Sequence, residues 1–147
     1  MSATDSFVDS LDDARIVAAI REAESHSRGE IRVHVAEDQV EDAQAEGAAA
    51  FEALGMTATA ERNGVLLFVA PASRRFAVLG DLAIHERCGE AFWAAIADAM
   101  AAEFRAGRFT EGIVAGVAAV GAELARHFPR TPGDGDRNEL PDGVSRG

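Results

Sequence analysis

The run Gly64 to Ala70 (GVLLFVA) has no polar face. A strand of that kind is stable only when both faces are covered, so the chain must lay structure on each side of it. Pro71, Ala72 and Ser73 interrupt the run. Arg75 to Leu79 (RFAVL) follows as a second strand, stopped by Gly80 and Asp81. Polar residues stand only at the ends of this hairpin. Its geometry brings the start of the first strand beside the end of the second, which predicts Glu61, Arg62 and Asn63 near Asp81.

The segments before the hairpin supply partners for it. Ser10 to Ser27 reads as a helix with Leu11, Ile16, Ile20 and Ala23 inward, and Ser10 with Asp13 has the pattern of an N-cap and its N3 partner. In Glu30 to Glu37 (EIRVHVAE), Ile31, Val33 and Val35 alternate with Glu30, Arg32 and His34. One polar face suggests a strand near the sheet edge. Asp42 to Leu54 is Ala-rich and helical, anchored by Phe51 and Leu54, with Gly55 as its C-cap. Strand, helix and strand then form a crossover unit, which predicts a parallel pair.

Three helices follow the hairpin. The first is Leu82 to Cys88. The second, Glu90 to Ala106, repeats Phe92, Trp93, Ile96, Met100 and Phe104 at helical spacing. The third, Glu111 to His127, is N-capped by Thr110 and turns Ile113, Val117, Val120 and Leu124 inward; Gly112 and Gly116 permit close backbone approach. The expected architecture is a three-layer α/β/α sandwich with a small mixed sheet, in the order α-β-α-β-β-α-α-α. Residues 1–9 are expected as a flexible N-terminus, 10–129 as one α/β domain and 130–147 as a disordered tail.

The chain has 147 residues, enough for one domain with a real core. Its net charge of −11 argues against general nucleic-acid binding and against docking on anionic membranes. All 14 basic residues are Arg, which excludes Schiff-base and P-loop chemistry. The single Cys88 forms no internal disulfide and fits a reducing compartment. The N-terminus is acidic rather than signal-like, and the longest apolar run, Gly112 to Ala122, is short of the ~20 residues that span a bilayer. The expected location is cytoplasmic.

Chemistry is expected at the polar edge of the sheet. With the first two strands parallel, Glu30 lies on the edge of Asn63, and the third strand returns Asp81 there. Glu30, Glu61, Asn63, Asp81, His85 and Glu86 then converge from four segments. Two carboxylates ~4 Å apart repel by several kcal/mol at an effective dielectric near 20. Such a group needs a cation, a shared proton or room to spread. Oxygen ligands favour Ca²⁺ or Mg²⁺. Against this stand solvated strand ends, Asp81 as a helix cap and Asn63-Gly64 as a turn. His85 and Cys88, at i and i+3, can reach one metal, but two ligands are not a site, and Cys88 is read as a small buried residue. His34 is read as solvated or paired with Glu, and His127 as a cation favoured by its helix dipole. Arg74 and Arg75 can meet a phosphate or an acidic partner, or simply be solvated. G-x-x-x-x-G-K, H-E-x-x-H and G-x-G-x-x-G are all absent from the sequence.

In GEIRVHV (29–35), RNGVLLFVAPASRRFAVLGD (62–81), the FW pair at 92–93 and FRAGRFTEGIVAGVAAVGAELARHFP (104–129), the chain resembles the TPM-domain family. That family includes bacterial membrane-associated proteins, a thylakoid-lumen protein of photosystem II repair and a nematode modulator of acetylcholine receptors. The resemblance implies an α/β sandwich and a divalent-cation site, because members are associated with Ca²⁺, and plant members are linked to acid-phosphatase activity. Carried over by position, Glu30, Asn63 and Asp81 are the counterparts of the family's polar edge. Many relatives carry an export signal or an anchor and a Gly-rich tail, patterns not found here. Three functions compete: a Ca²⁺- or Mg²⁺-binding module acting through a protein partner; a metal-assisted phosphatase with His85 or Glu86 as general acid or base; and a metal-free interaction protein, using the Gly112, Gly116 and Ala119 face.

Overall fold

The structure is a computed structural model and describes residues 11–59, 62–129 and 144–146. Glu61, the expected flexible N-terminus (1–9) and most of the expected tail lie outside the described residues. The elements run α1 (Asp13–Ser25), β1 (Glu30–Val35), α2 (Ala43–Ala53), β2 (Gly64–Ala70), β3 (Arg75–Gly80), α3 (Leu82–Cys88), α4 (Glu90–Arg105), α5 (Phe109–His127) and a two-residue strand, β4 (Ser145–Arg146). The sheet order is β3-β2-β1-β4. β1 is parallel to β2, and β2 is antiparallel to β3. This is the expected three-layer α/β/α sandwich with a mixed sheet.

β2 explains the layering. All seven of its residues are buried, and their alternation serves both faces. Val65, Leu67 and Val69 join Ile16, Ile20, Ile31, Val33, Ile96, Met100, Val117 and Leu124 beneath α1, α4 and α5. Leu66, Phe68 and Ala70 join Phe51, Met56, Ala77 and Leu79 beneath α2. Each fully buried aliphatic side chain of this kind contributes about 1.5–3 kcal/mol.

Several local expectations change. The cap of α1 is Asp12, whose Oδ1 accepts from Arg15 N at 3.2 Å, rather than Ser10. Thr110 lies inside α5 instead of capping it, and its Oγ1 accepts from Asp12 N at 3.1 Å, tying the starts of α1 and α5 together. Asp42 caps α2, and the left-handed residue that ends it is Gly55, with φ of 72°. β1 is not a full edge strand: β4 pairs with His34 and Val35 on the side away from β2. The Ser-Arg pair of β4 carries no apolar alternation by which a strand is recognised. Gly112 and Gly116 are buried inside the domain, where the side chains of Phe104 and Met100 occupy the space next to them, so they form no exposed contact face.

Candidate functional site

The register brings three of the sequence-derived site residues to one end of the sheet. Glu30 opposes Gly64, and Val65 opposes Gly80. Glu30 N donates to Asn63 O at 3.3 Å, and Asp81 N donates to Gly64 O at 3.0 Å. Glu30, Asn63 and Asp81 therefore begin or end three adjacent strands at the same edge. Their exposures are 2%, 1% and 5%, so none is an ordinary solvated strand end.

Two of them, Asn63 and Asp81, have a structural task. Asn63 Nδ2 donates to Arg28 O at 3.0 Å and fixes the loop that leads into β1. Asp81 is the N-cap of α3, with Oδ1 accepting from Leu82 N at 2.8 Å. Asp81 also receives Arg62: Nε donates to Oδ2 at 2.6 Å and Nη2 to Oδ1 at 2.8 Å. This is a two-point guanidinium–carboxylate pair. It holds the Arg62 pKa above its ordinary value, mainly through the side-chain hydrogen bond to Asp81.

Arg62 reaches Asp81 through an unusual backbone. Its φ is 52°, in the left-handed region. A non-glycine residue there is held against a cost of ~1–2 kcal/mol. Arg62 N donates to Thr59 O at 3.3 Å and Ala83 N donates to Arg62 O at 3.2 Å, so the loop is pinned on both sides. The Arg62 side chain is 44% exposed while that of Asp81 is 4% exposed. The counter-ion of a buried carboxylate thus stands in contact with solvent.

Sequence reasoning missed Glu24 as part of this edge. It is 9% exposed, and its Oε2 accepts from Ile31 N at 2.9 Å, so α1 closes the start of β1 with a buried carboxylate. Its polar position within an amphipathic helix gives no signal of burial. His85 and Glu86 lie on the exposed side of α3. The His85 ring packs against Trp93, with centroids 5.6 Å apart. Arg74 and Arg75 are exposed in the hairpin connection. His34 stacks on Phe68 at 5.7 Å, and its Nδ1 lies 3.0 Å from Ser145 Oγ, so it is tied to β4.

The donors at the edge are two carboxylates and one amide oxygen, the set that hard divalent cations prefer. Asp81 already meets a positive charge in Arg62, so a cation at this edge would have to take the place of the guanidinium. Among the described residues, the His, Cys, Asp and Glu side chains that stand at ligand spacing in a group of three include neither Glu30 nor Asp81. Remaining ligands of a cation there would be Asn63, backbone oxygen and water.

A second grouping has that spacing. Cys88, at the end of α3, faces Glu123 and His127 on the last turns of α5, and their ligand atoms all lie within 4.8 Å of one another. His85, which the i, i+3 spacing places within reach of Cys88, is not in it. The signal that could have found it is Glu123 and His127 at i and i+4, which places both on one helix face. Burial pushes the Cys88 thiol pKa up, and the neighbouring Glu123 carboxylate adds to this.

Comparison with known proteins agrees with this fold. The TPM domain matches residues 3–123. The chain belongs to the TPM-domain family. The NMR structure of BA42 protein from the psychrophilic bacterium Bizionia argentinensis is 35% identical, covering 94% of this chain and 96% of that one, with a TM-score of 0.84. The solution structure of the N-terminal domain of a P. gingivalis protein shares the fold at 23% identity and a TM-score of 0.57, covering 82% of this chain and 83% of that one. No functionally curated protein matches the sequence. Among the described residues, no helix is long and apolar enough to cross a membrane.

Proposed function

We propose that this TPM domain is a divalent-cation-binding module, taking Ca²⁺ or Mg²⁺ at the edge formed by Glu30, Asn63 and Asp81 and acting through a protein partner. The observation that carries the reading is the pairing of a buried carboxylate, Asp81, with a solvent-reachable counter-ion, Arg62. The bound cation neutralises the carboxylates and releases the guanidinium. Because Asp81 caps α3 and Arg62 is pinned to Ala83, that exchange acts on the start of α3 and on the exposed Leu82 beside it. The change is thus offered to a partner at the surface.

Thermal melts in chelator, Ca²⁺ and Mg²⁺ test the reading. Wild type is stabilised by cation, and Asp81→Ala is not. A wild-type melting temperature unmoved by millimolar Ca²⁺ and Mg²⁺ overturns it.

A metal-assisted phosphatase is the second reading, implied by the family resemblance. It would use the same cation, with His85 or Glu86 in the acid–base role; their exposed position on α3, one turn from Asp81, gives both access to a substrate at the edge. Phosphatase activity that survives both Asp81→Ala and Glu30→Ala would remove the edge as its source.

A further inference from the structure

We propose that Cys88, Glu123 and His127 bind a borderline transition cation, Zn²⁺ in the first instance, where the end of α3 meets the last turns of α5. This site is separate from the sheet edge. α3 has seven residues, so the two sites lie at opposite ends of a helix about 10 Å long.

The donor set is thiol, carboxylate and imidazole, which selects zinc-like ions over Ca²⁺ and Mg²⁺. The spacing fits tetrahedral coordination. Two N or O ligands of zinc lie about 3.3 Å apart, and a sulfur and a nitrogen about 3.6 Å apart. His127 Nε2 and Glu123 Oε2 are 3.1 Å apart, and the three ligand atoms lie within 4.8 Å. A movement of the thiol by about 1 Å closes the set, leaving the fourth position to water.

The surroundings hold these ligands in place. Arg126 Nη1 donates to the other oxygen of Glu123, Oε1, at 2.9 Å, which orients the carboxylate and leaves Oε2 toward His127. Arg87, next to Cys88, donates from Nη1 to His127 O at 2.7 Å and lies 4.5 Å over the Phe128 ring. The residue beside one ligand is thereby fastened to the backbone of another. Glu123 and His127 are 21% and 27% exposed, open enough for an ion to enter and sheltered enough to strengthen its bonds.

The thiol gives its proton to solvent, the sulfur lone pair forms the bond to zinc, and no electron is transferred. A second His–Glu pair provides a contrast: His26, just past the end of α1, has Nε2 2.9 Å from Glu22 Oε1 at i and i+4, but it is exposed and belongs to no such group with a cysteine.

The test is titration of the reduced, tag-free full chain with Co²⁺, followed by displacement with Zn²⁺. The expected result is a thiolate-to-cobalt charge-transfer band with visible d–d bands, both removed by zinc. Cys88→Ser abolishes the charge-transfer band, and His127→Gln and Glu123→Gln each weaken zinc binding by at least ~10-fold. His26→Gln leaves the bands unchanged. Absence of the band in wild type, its persistence in Cys88→Ser, or equal zinc affinity in His127→Gln and Glu123→Gln overturns the proposal. Ca²⁺ and Mg²⁺ do not displace the cobalt, so failure here and failure at the sheet edge are read separately.

Discussion

Arg62 grips Asp81 at two points, Nε to Oδ2 at 2.6 Å and Nη2 to Oδ1 at 2.8 Å, from a left-handed backbone position. Asp81 caps α3, and the loop that carries Arg62 closes the hairpin edge and balances this buried carboxylate.

Asp81→Ala removes the α3 cap together with the partner of Arg62. Loss of the cap alone costs about 1 kcal/mol. Denaturant unfolding in chelator is expected to show a loss of at least that size. A variant as stable as wild type would mean that α3 does not depend on this cap.

The contact between α1 and α5 is expected to be intolerant of one added methyl. A Cβ at Gly121 would stand 2.6 Å from Ala23 Cβ and 3.3 Å from Ala23 Cα. Neither atom is the end of a flexible side chain, so the helices must separate. Gly121→Ala should lose about 1–3 kcal/mol despite its better helix propensity. A more stable Gly121→Ala protein would contradict the close approach.

Acid sensitivity is expected where α1 meets α5. The Arg15 guanidinium, 2.7 Å from Glu111, holds the Glu111 carboxyl below its ordinary value of 4.5, with a backbone hydrogen bond adding to the effect. A carboxyl with a lowered folded-state pKa stabilises the fold fully above the ordinary value. It loses that contribution as pH falls through the lower one. The pair is exposed, so the effect is small. Unfolding curves between pH 6 and 3 should fall less steeply for Glu111→Gln than for wild type, at ~pH 4.5 and below. Parallel curves would show that the pair contributes nothing.

The layered fold was legible because its signals are local and repeated. The unbroken apolar run of β2 demanded cover on both faces, and the 3.6-residue spacing of Ile96, Met100, Val117 and Leu124 supplied it on one side. The convergence of Glu30, Asn63 and Asp81 on one edge followed from strand directions alone. What the sequence did not reveal depends on side-chain contacts between distant segments. Thr110 looks like a cap until Asp12 N–H is seen to reach it. Glu24 looks like a surface acid until the Ile31 N–H is seen to need it. Cys88 looks like a small buried residue until the packing of α3 on α5 is seen to bring it Glu123 and His127. β4 was invisible because two polar residues carry no period.

The exchange between Arg62 and a divalent cation is the centre of the account, and a Ca²⁺ and Mg²⁺ titration of Arg62→Gln beside wild type, followed by thermal melting, tests it most directly. A ligand at 100 times its dissociation constant adds about 2.7 kcal/mol of stability. Without its guanidinium, Asp81 stays buried and uncompensated, so Arg62→Gln should melt below wild type in chelator and gain more from cation, with a lower dissociation constant. Equal or weaker cation binding in Arg62→Gln would contradict the account and leave Arg62 as a permanent structural partner of Asp81.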